Sequence, residues 1–166
     1  MARFSREELT EAFAIFEDTV DAAARSRDWD AWVRHYTPDV DYIEHAMGTM
    51  KGRDEVRAWI TKTMSTFPGS HMTEFPSLWK VFDEETGRVI CELDNPMRDP
   101  GDGTVITATN ISIVTYAGDG LWSQQEDIYN PMKFLQAGMK WCKKAEKLGT
   151  LDDEAAAWMR QYGGQK

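Results

Sequence analysis

The sequence predicts an α+β fold in which helices cover one face of an antiparallel sheet. Three observations lead to this prediction. Apolar residues recur at helical spacing through most of the N-terminal part of the chain. The period then changes to two, in strand-like runs at roughly 73–83, 88–98, 104–116 and 121–130. Turn-forming segments (EETG, DPGDG and AGDG) separate these runs, so the four strands should be consecutive antiparallel neighbours.

The first two helices have recognisable ends. Ser5 and Glu8 form a capping-box pattern, and the helix that follows runs to about Arg25. Asp28 caps a second, short helix, which Pro38 ends. The apolar side of this second helix consists of Trp29, Trp32, Val33 and Tyr36.

A short strand is expected from Val40 to His45, with Gly48 and Gly52 bracketing a turn after it. A third helix follows, and the Pro-Gly pair at 68–69 ends it. Its apolar face consists of Val56, Trp59, Ile60, Thr63, Met64 and Phe67.

Length and composition indicate one domain, 1–166, with a C-terminal helical tail at about 131–162. A chain of 166 residues can bury one real core but not two comfortable ones. With 42% hydrophobic residues and seven tryptophans, the composition is that of a globular protein with a large apolar interior.

The charge argues against two classes of partner. A formal net charge of -9 repels phosphate backbones, and no stripe of Lys and Arg offsets it, so no nucleic-acid partner is expected. The N-terminal segment lacks the apolar core of a secretory signal, and no run approaches the roughly 18 apolar residues of a membrane span. We therefore expect a cytoplasmic protein without a membrane partner.

Cysteine and histidine spacing predicts no metal site. Cys91 and Cys142 lack C-x-x-C spacing and are interpreted as buried thiols. The three histidines, His35, His45 and His71, are scattered along the chain.

Three segments carry a family resemblance: SRDWDAWVRHYTPDVDYIEH, GTMKGRDEVRAWI and ISIVTYAGDGLWSQQEDIYN. Together they resemble the nuclear transport factor 2-like superfamily, which includes SnoaL-like polyketide cyclases, ketosteroid isomerase, limonene epoxide hydrolase and scytalone dehydratase. The resemblance implies a cone-shaped, curved antiparallel sheet with N-terminal helices on its concave face, around a deep apolar cavity. It also implies a homodimer formed through the outer sheet face, and chemistry that needs no cofactor.

The resemblance points to three residues at the end of the first strand. The general-base carboxylate of ketosteroid isomerases falls on Glu44 or on His45, depending on the direction of counting. A pocket tyrosine of scytalone dehydratase matches Tyr42. Strand alternation turns Tyr42 and Glu44 inward together, whereas a bulge would bring His45 to the cavity mouth. All three residues are therefore candidates for catalysis.

The last strand supplies a second set. Alternation turns Gln125, Asp127 and Tyr129 inward, with Glu126 and Ile128 on the other side. SnoaL-like cyclases resemble this chain in holding a catalytic aspartate at about the Asp127 position. An inward carboxylate needs a partner or a raised pKa, because burying it alone costs several kcal/mol.

The partner of Asp127 is left open by the sequence. If His45 reaches it, the two form a dyad in which the carboxylate orients the imidazole. Otherwise Asp127 itself, desolvated among aromatic residues, is the acid or base.

Other residues are candidates for substrate binding. Ketosteroid isomerase has a second carboxylic acid at about the place of Ser112, so that oxyanion donor is missing here. Asn110 would hold a water or polarise a carbonyl instead. Asn95 shares a strand face with Cys91 and Leu93, which makes it a candidate for the cavity wall, and Trp59 and Trp79 would wall a pocket suited to aromatic ligands.

These residues predict a cofactor-independent enzyme that transfers protons on a hydrophobic, aromatic or polycyclic small molecule. Isomerase, cyclase, dehydratase and carbon–carbon lyase reactions all fit this prediction. The alternatives are a non-catalytic binding or assembly domain and a transport adaptor, since fold analogy does not choose among activities.

Overall fold

The computed structural model describes residues 2–163. Its helices are α1 (Arg6–Ser26), α2 (Asp30–Val33), α3 (Gly52–Met64), α4 (Pro131–Leu148) and α5 (Asp153–Tyr162), with a 3-10 turn at Gly69–His71. Its strands are β1 (Tyr36–Glu44), β2 (Gly48–Lys51), β3 (Ser77–Asp83), β4 (Arg88–Asp94), β5 (Thr109–Gly118) and β6 (Leu121–Ile128). None of the helices within 2–163 combines the length and apolar character needed to cross a bilayer.

The six strands form one sheet in the order β2-β1-β6-β5-β4-β3. The predicted meander of β3 to β6 is confirmed, and each of its strand pairs is antiparallel. The sheet is nevertheless mixed, because β1 and β6 pair in parallel. The connection between these strands contains β2, α3 and the rest of the meander, which is long enough to allow a parallel pair.

The region around β1 differs from the sequence prediction. The second helix stops at Val33, so Tyr36 lies in β1 rather than in that helix, and Pro38 lies inside β1 rather than at the end of the helix. Pro38 is tolerated there because the pairing of β1 with β6 is irregular between Tyr36 and Asp41. The proline therefore removes no ladder hydrogen bond.

The expected turn between the two glycines of this region is a strand. The four residues of β2 pair antiparallel with β1, and the turn lies at 45–47 instead. Gly48 and Gly52 have φ angles of 109° and 77°, in the left-handed region that favours glycine. They mark the two ends of β2.

Aromatic side chains join α1 to the face of the sheet that the helices cover. Phe13 packs edge-to-face on Trp122, with ring centroids 5.8 Å apart, and Phe16 does the same on Tyr36 at 5.6 Å. Trp122 and Tyr36 are fully buried. Such pairs add roughly 0.5–1.5 kcal/mol each beyond their burial, so they fix α1 against β1 and β6.

Candidate functional site

The inward-facing residues of β6 line a cavity of about 520 Å³. Gln125, Asp127 and, just beyond the strand, Tyr129 all contribute to its wall, as strand alternation predicts. Glu126 and Ile128 are absent from that wall, and Ile128 is 41% exposed. Chain geometry thus brings the predicted inward set of β6 to one site.

The cavity lies between the sheet and the helices and is mostly apolar and aromatic. Its aromatic walls come from Trp29, Trp32, Trp59, Phe67, Phe75 and Phe134. Seven polar side chains line it from the strands or from residues directly after them: Tyr42, Glu44, Asn95, Asn110, Gln125, Asp127 and Tyr129. A concave apolar site with a few convergent polar groups is the usual form of a small-molecule site.

The parallel pairing of β1 with β6 sets two carboxylates side by side. Glu44 is in register with Asp127, and Tyr42 with Gln125, so the four side chains face the cavity from adjacent strands. Neighbouring strands are about 4.8 Å apart. Glu44 is 3% exposed, so its carboxylate is shielded from solvent beside that of Asp127.

His45 is not part of this cluster, and the predicted dyad with Asp127 is not formed. Its Nε2 lies 2.8 Å from Glu126 Oε1, and its side chain is 49% exposed. The reason is that β1 stays regular through Glu44, so the next residue points to the opposite face, as strand alternation requires.

Trp79 also lies outside the cavity, contrary to the prediction. It is 44% exposed, and its indole Nε1 donates to Glu92 Oε2 at 2.6 Å. The pairing of β3 with β4 shifts between Ser77 and Trp79, and the neighbouring residue Lys80 is the one that contacts Phe13 on the helix side. Trp59, by contrast, lines the cavity as predicted.

Asp127 accepts hydrogen bonds from four side chains. The Tyr42 hydroxyl donates to Oδ2, and the Ser112 hydroxyl donates to Oδ1. Gln125 Nε2 donates to Oδ1 at 3.1 Å, and Asn110 Nδ2 lies 3.5 Å from the same oxygen. The network thus supplies donors to the carboxylate from three different strands.

Burial and charge act together on the acidity of this cluster. Desolvation raises the pKa of Asp127 above its ordinary value, although hydrogen bonds from Ser112, Tyr42 and Gln125 oppose the rise, and the charge of Glu44 adds to it. Desolvation and the charge of Asp127 raise the pKa of Tyr42 well above its usual range. Tyr42 therefore stays protonated and remains a donor.

Glu44 is held by backbone amides of the turn that follows β1. Its Oε2 accepts from the N–H groups of Ala46 at 2.9 Å and Met47 at 2.6 Å. Burial raises the pKa of Tyr129, and a hydrogen bond to Glu44 and the charge of that carboxylate raise it further. The Tyr129 hydroxyl therefore stays protonated, with Glu44 as its acceptor.

Two residues of the network were missed by sequence reasoning. The family resemblance indicates for Ser112 only the loss of a carboxylic acid, yet Ser112 is in register with Asp127 and donates to it. The Tyr36 hydroxyl donates to Gln125 Oε1. Strand alternation already placed Ser112 on the same face as Asn110, but pairing it with Asp127 needs the register between β5 and β6.

Within residues 2–163, no group of three or more His, Cys, Asp or Glu side chains is arranged to hold a metal ion. The cluster on the cavity wall instead offers carboxylates, amides and hydroxyls, which are groups that move or hold protons.

The sequence profile of the SnoaL-like domain matches residues 16–125. This chain belongs to the SnoaL-like domain family. The match covers β1, β2, α3 and most of the meander, and it ends at Gln125 in β6. A search of curated protein sequences found no significant match.

Solved structures share the fold of this SnoaL-like protein. TerC co-crystallised with polyporic acid aligns with a TM-score of 0.58 and 18% identity, over 78% of this chain and 97% of TerC. A ketosteroid isomerase-like protein from Catenulispora acidiphila, in complex with trimethylamine, gives 0.59 and 18%, over 74% and 90%. An LEH-like epoxide hydrolase from M. tuberculosis gives 0.62 and 10%, over 88% and 95%. At these identities the likeness establishes the fold alone.

Proposed function

We propose that this SnoaL-like protein is a cofactor-independent enzyme that transfers protons on a hydrophobic, ring-bearing small molecule. The observation that carries the proposal is the pair of adjacent carboxylates, Glu44 and Asp127, on the wall of an apolar cavity. Isomerase, cyclase, dehydratase and lyase reactions each require a base and a proton donor held against one substrate.

Asp127 is the proposed general base. Hydrogen-bond donors surround it, so the network stabilises its ionised form, while burial and the Glu44 charge raise its pKa and make it more basic than an exposed carboxylate. A base works best when its pKa approaches the working pH. Asp127 would take a proton from a carbon next to a substrate carbonyl and return it elsewhere on the same molecule.

Tyr129 is the proposed donor to the substrate oxygen. Its raised pKa keeps it protonated, and it lines the cavity beside Glu44, so a substrate oxygen would replace Glu44 as the acceptor of its hydrogen bond. Glu44 tunes both groups, because its charge raises the pKa of Asp127 and of Tyr129, and it is also the second candidate base. Tyr42 and Gln125 act on Asp127 through hydrogen bonds, so they are positioning residues.

The proposal is tested by hydrogen exchange of 2-tetralone, a bicyclic ketone, in D2O followed by NMR. We expect the wild-type protein to accelerate exchange at the carbons beside the carbonyl. Asp127→Asn removes the base and should lower that rate by about 10²- to 10⁴-fold. The matched control is Glu126→Gln, the neighbouring carboxylate on the outer face of β6, which should keep the wild-type rate. Unchanged exchange in Asp127→Asn would refute the role of Asp127.

A second candidate is a non-catalytic binding domain for the same class of ligand. The observation that favours it is the saturation of Asp127 by donors, which would also stabilise the cavity wall in a protein that only binds. In that case 2-tetralone would bind saturably to the wild-type protein without any acceleration of exchange.

A further inference from the structure

The polar groups of the cavity differ in whether the protein already uses their hydrogen-bonding atoms. Gln125 Oε1 accepts from Tyr36, and Gln125 Nε2 donates to Tyr42 and Asp127. Asn110 Oδ1 accepts from Asn95, and its Nδ2 donates to Ser112. These two amides therefore have little left to offer a ligand.

Asn95 is different because its side-chain orientation is fixed by groups that can only accept. Its Nδ2 lies 3.1 Å from the carbonyl oxygen of Ala108, 3.3 Å from that of Leu93 and 2.9 Å from Asn110 Oδ1. A carbonyl oxygen accepts and never donates, so the amide nitrogen must face this side. The amide oxygen, Oδ1, is therefore the free end of the side chain.

That oxygen has no donor among residues 2–163, although Asn95 is only 7% exposed and lines the cavity. Asn95 Oδ1 is not one of the unpartnered polar atoms that have lost all accessible surface within residues 2–163. It therefore remains accessible from the cavity. Leaving a sheltered acceptor without a donor costs about 1–3 kcal/mol. A ligand donor would recover this free energy.

We propose that Asn95 is a specificity-determining residue whose Oδ1 accepts a hydrogen bond from a hydroxyl group of the ligand. Asn95 follows β4, and Asp127 lies two strands away on β6. Asn110 spans the gap between the two side chains, since its Oδ1 accepts from Asn95 Nδ2 at 2.9 Å and its Nδ2 lies 3.5 Å from Asp127 Oδ1. A ligand that reaches both residues needs two or three fused rings, with the hydroxyl at the end remote from the carboxylate pair. This inference rests on the proposed function for the reacting end of the ligand.

The inference is tested by ligand binding rather than by turnover. Isothermal titration calorimetry measures the affinity of the protein for two matched tricyclic probes, 2-hydroxyfluorene and 2-methoxyfluorene. The methoxy group fills similar space but cannot donate. We expect the wild-type protein to bind the hydroxyl probe about tenfold more tightly or better, since the alternative leaves Oδ1 unpaired. Equal affinities for the two probes on the wild-type protein would overturn the proposal, with no variant needed.

Asn95→Leu should bring the ratio of the two affinities close to one. Because each ratio is measured on one protein, a general weakening of binding cancels. Gln124→Leu removes an amide from the outer face of β6, outside the cavity wall, and should keep the wild-type ratio. A ratio that stays at the wild-type value in Asn95→Leu, with thermal unfolding showing a folded protein, would also overturn the proposal.

The outcome is separable from that of the proposed function. Asp127→Asn should lose exchange of 2-tetralone while keeping the preference for the hydroxyl probe. A wild-type protein that prefers the hydroxyl probe but catalyses no exchange would leave the role of Asn95 standing and remove the catalytic role of Asp127.

Discussion

At the scale of single residues, neighbouring side chains on one strand have opposite roles because of the strand period of two. Asp127 lies in a dry cluster, whereas Glu126 pairs with His45 on the outer face. Strand alternation predicted that Asp127 faces inward, but the sequence left open whether Glu44 or His45 lines the cavity. The structure places Glu44 there, because no bulge occurs at the end of β1.

The donors around Asp127 could not be predicted at this scale. Whether the Ser112 hydroxyl reaches that carboxylate depends on the register between β5 and β6, and a one-residue slip would reverse both faces. The prediction that Trp79 lines the cavity was wrong for a related reason. The irregular pairing of β3 with β4 sets the face on which Trp79 lies. Hydrogen-bond partners on different strands are set by the pairing, and one sequence does not reveal the pairing.

Ser112→Ala should shift the pH dependence of exchange to higher pH. The Ser112 hydrogen bond lowers the pKa of Asp127, so its loss raises that pKa further. A base must be ionised, and the rate should therefore rise at a pH higher by up to about one unit. The rate of 2-tetralone exchange between pH 4 and pH 9 measures the shift. Thr115→Ala, which removes a hydroxyl elsewhere on β5, is the control and should leave the profile in place.

At the scale of elements, residues at the start of α5 form hydrogen bonds with the segment that contains Phe67 and His71, and these bonds hold that segment at one side of the cavity. His71 Nε2 lies 2.8 Å from Asp152 Oδ2, and Arg98 Nη2 donates to the same oxygen at 2.6 Å. Glu154 accepts from the Phe67 N–H at 2.8 Å. Because Phe67 lines the cavity, the C-terminal helix supports the site without contributing a side chain to the wall.

This contact predicts how stability depends on pH. Desolvation lowers the pKa of the nearly buried His71 below its ordinary value of 6.5, and the hydrogen bond to Asp152 offsets only part of this effect. Below pH 6.5 the unfolded chain therefore binds a proton that the folded chain does not. The free energy of unfolding should fall as pH drops from 6.5 toward the folded-state pKa.

Chemical denaturation at a series of pH values measures this contribution. His71→Gln should flatten the dependence below pH 6.5, and His35, whose pKa burial also lowers, should contribute part of the slope that remains. The double variant with His35→Gln should be flatter still. A slope identical to the wild-type slope in His71→Gln would show that the imidazole does not contribute.

Helical and strand periodicity was enough to predict five of the elements that shape the site: α1, α3, β4, β5 and β6. It was not enough for β2, because four residues between two glycines are too short to show a period. The parallel pairing of β1 with β6 was also invisible, since parallel and antiparallel strands can share the same alternation. That pairing sets Glu44 beside Asp127, so the central feature of the site depends on an unpredicted contact.

At the scale of the whole molecule, the outer face of the sheet carries an apolar row. Val81 pairs with Ile90, which pairs with Ile113, while Ile111 pairs with Ile128. Val81 is 54% exposed and Ile128 41%. Together with membership of the SnoaL-like family, this row leads us to expect a homodimer formed through that face.

Val81→Lys should convert the expected dimer to a monomer in sedimentation velocity experiments, because the charge would be buried without a partner at the interface. Val105→Lys makes the same change at a residue that is 71% exposed and lies outside the sheet, and it should leave the dimer intact. A wild-type protein that sediments as a monomer at all concentrations would contradict the expectation.

The central claim is that Glu44 and Asp127 occupy one sheltered site and that the charge of Glu44 raises the pKa of Asp127. Carboxyl ¹³C NMR titration of labelled aspartate measures it most directly, with Asp127→Asn to assign the signal. Asp127 should titrate above its ordinary value of 3.8, and Glu44→Gln should lower that value because one raising charge is gone. An Asp127 pKa at or below 3.8 that does not change in Glu44→Gln would contradict the account.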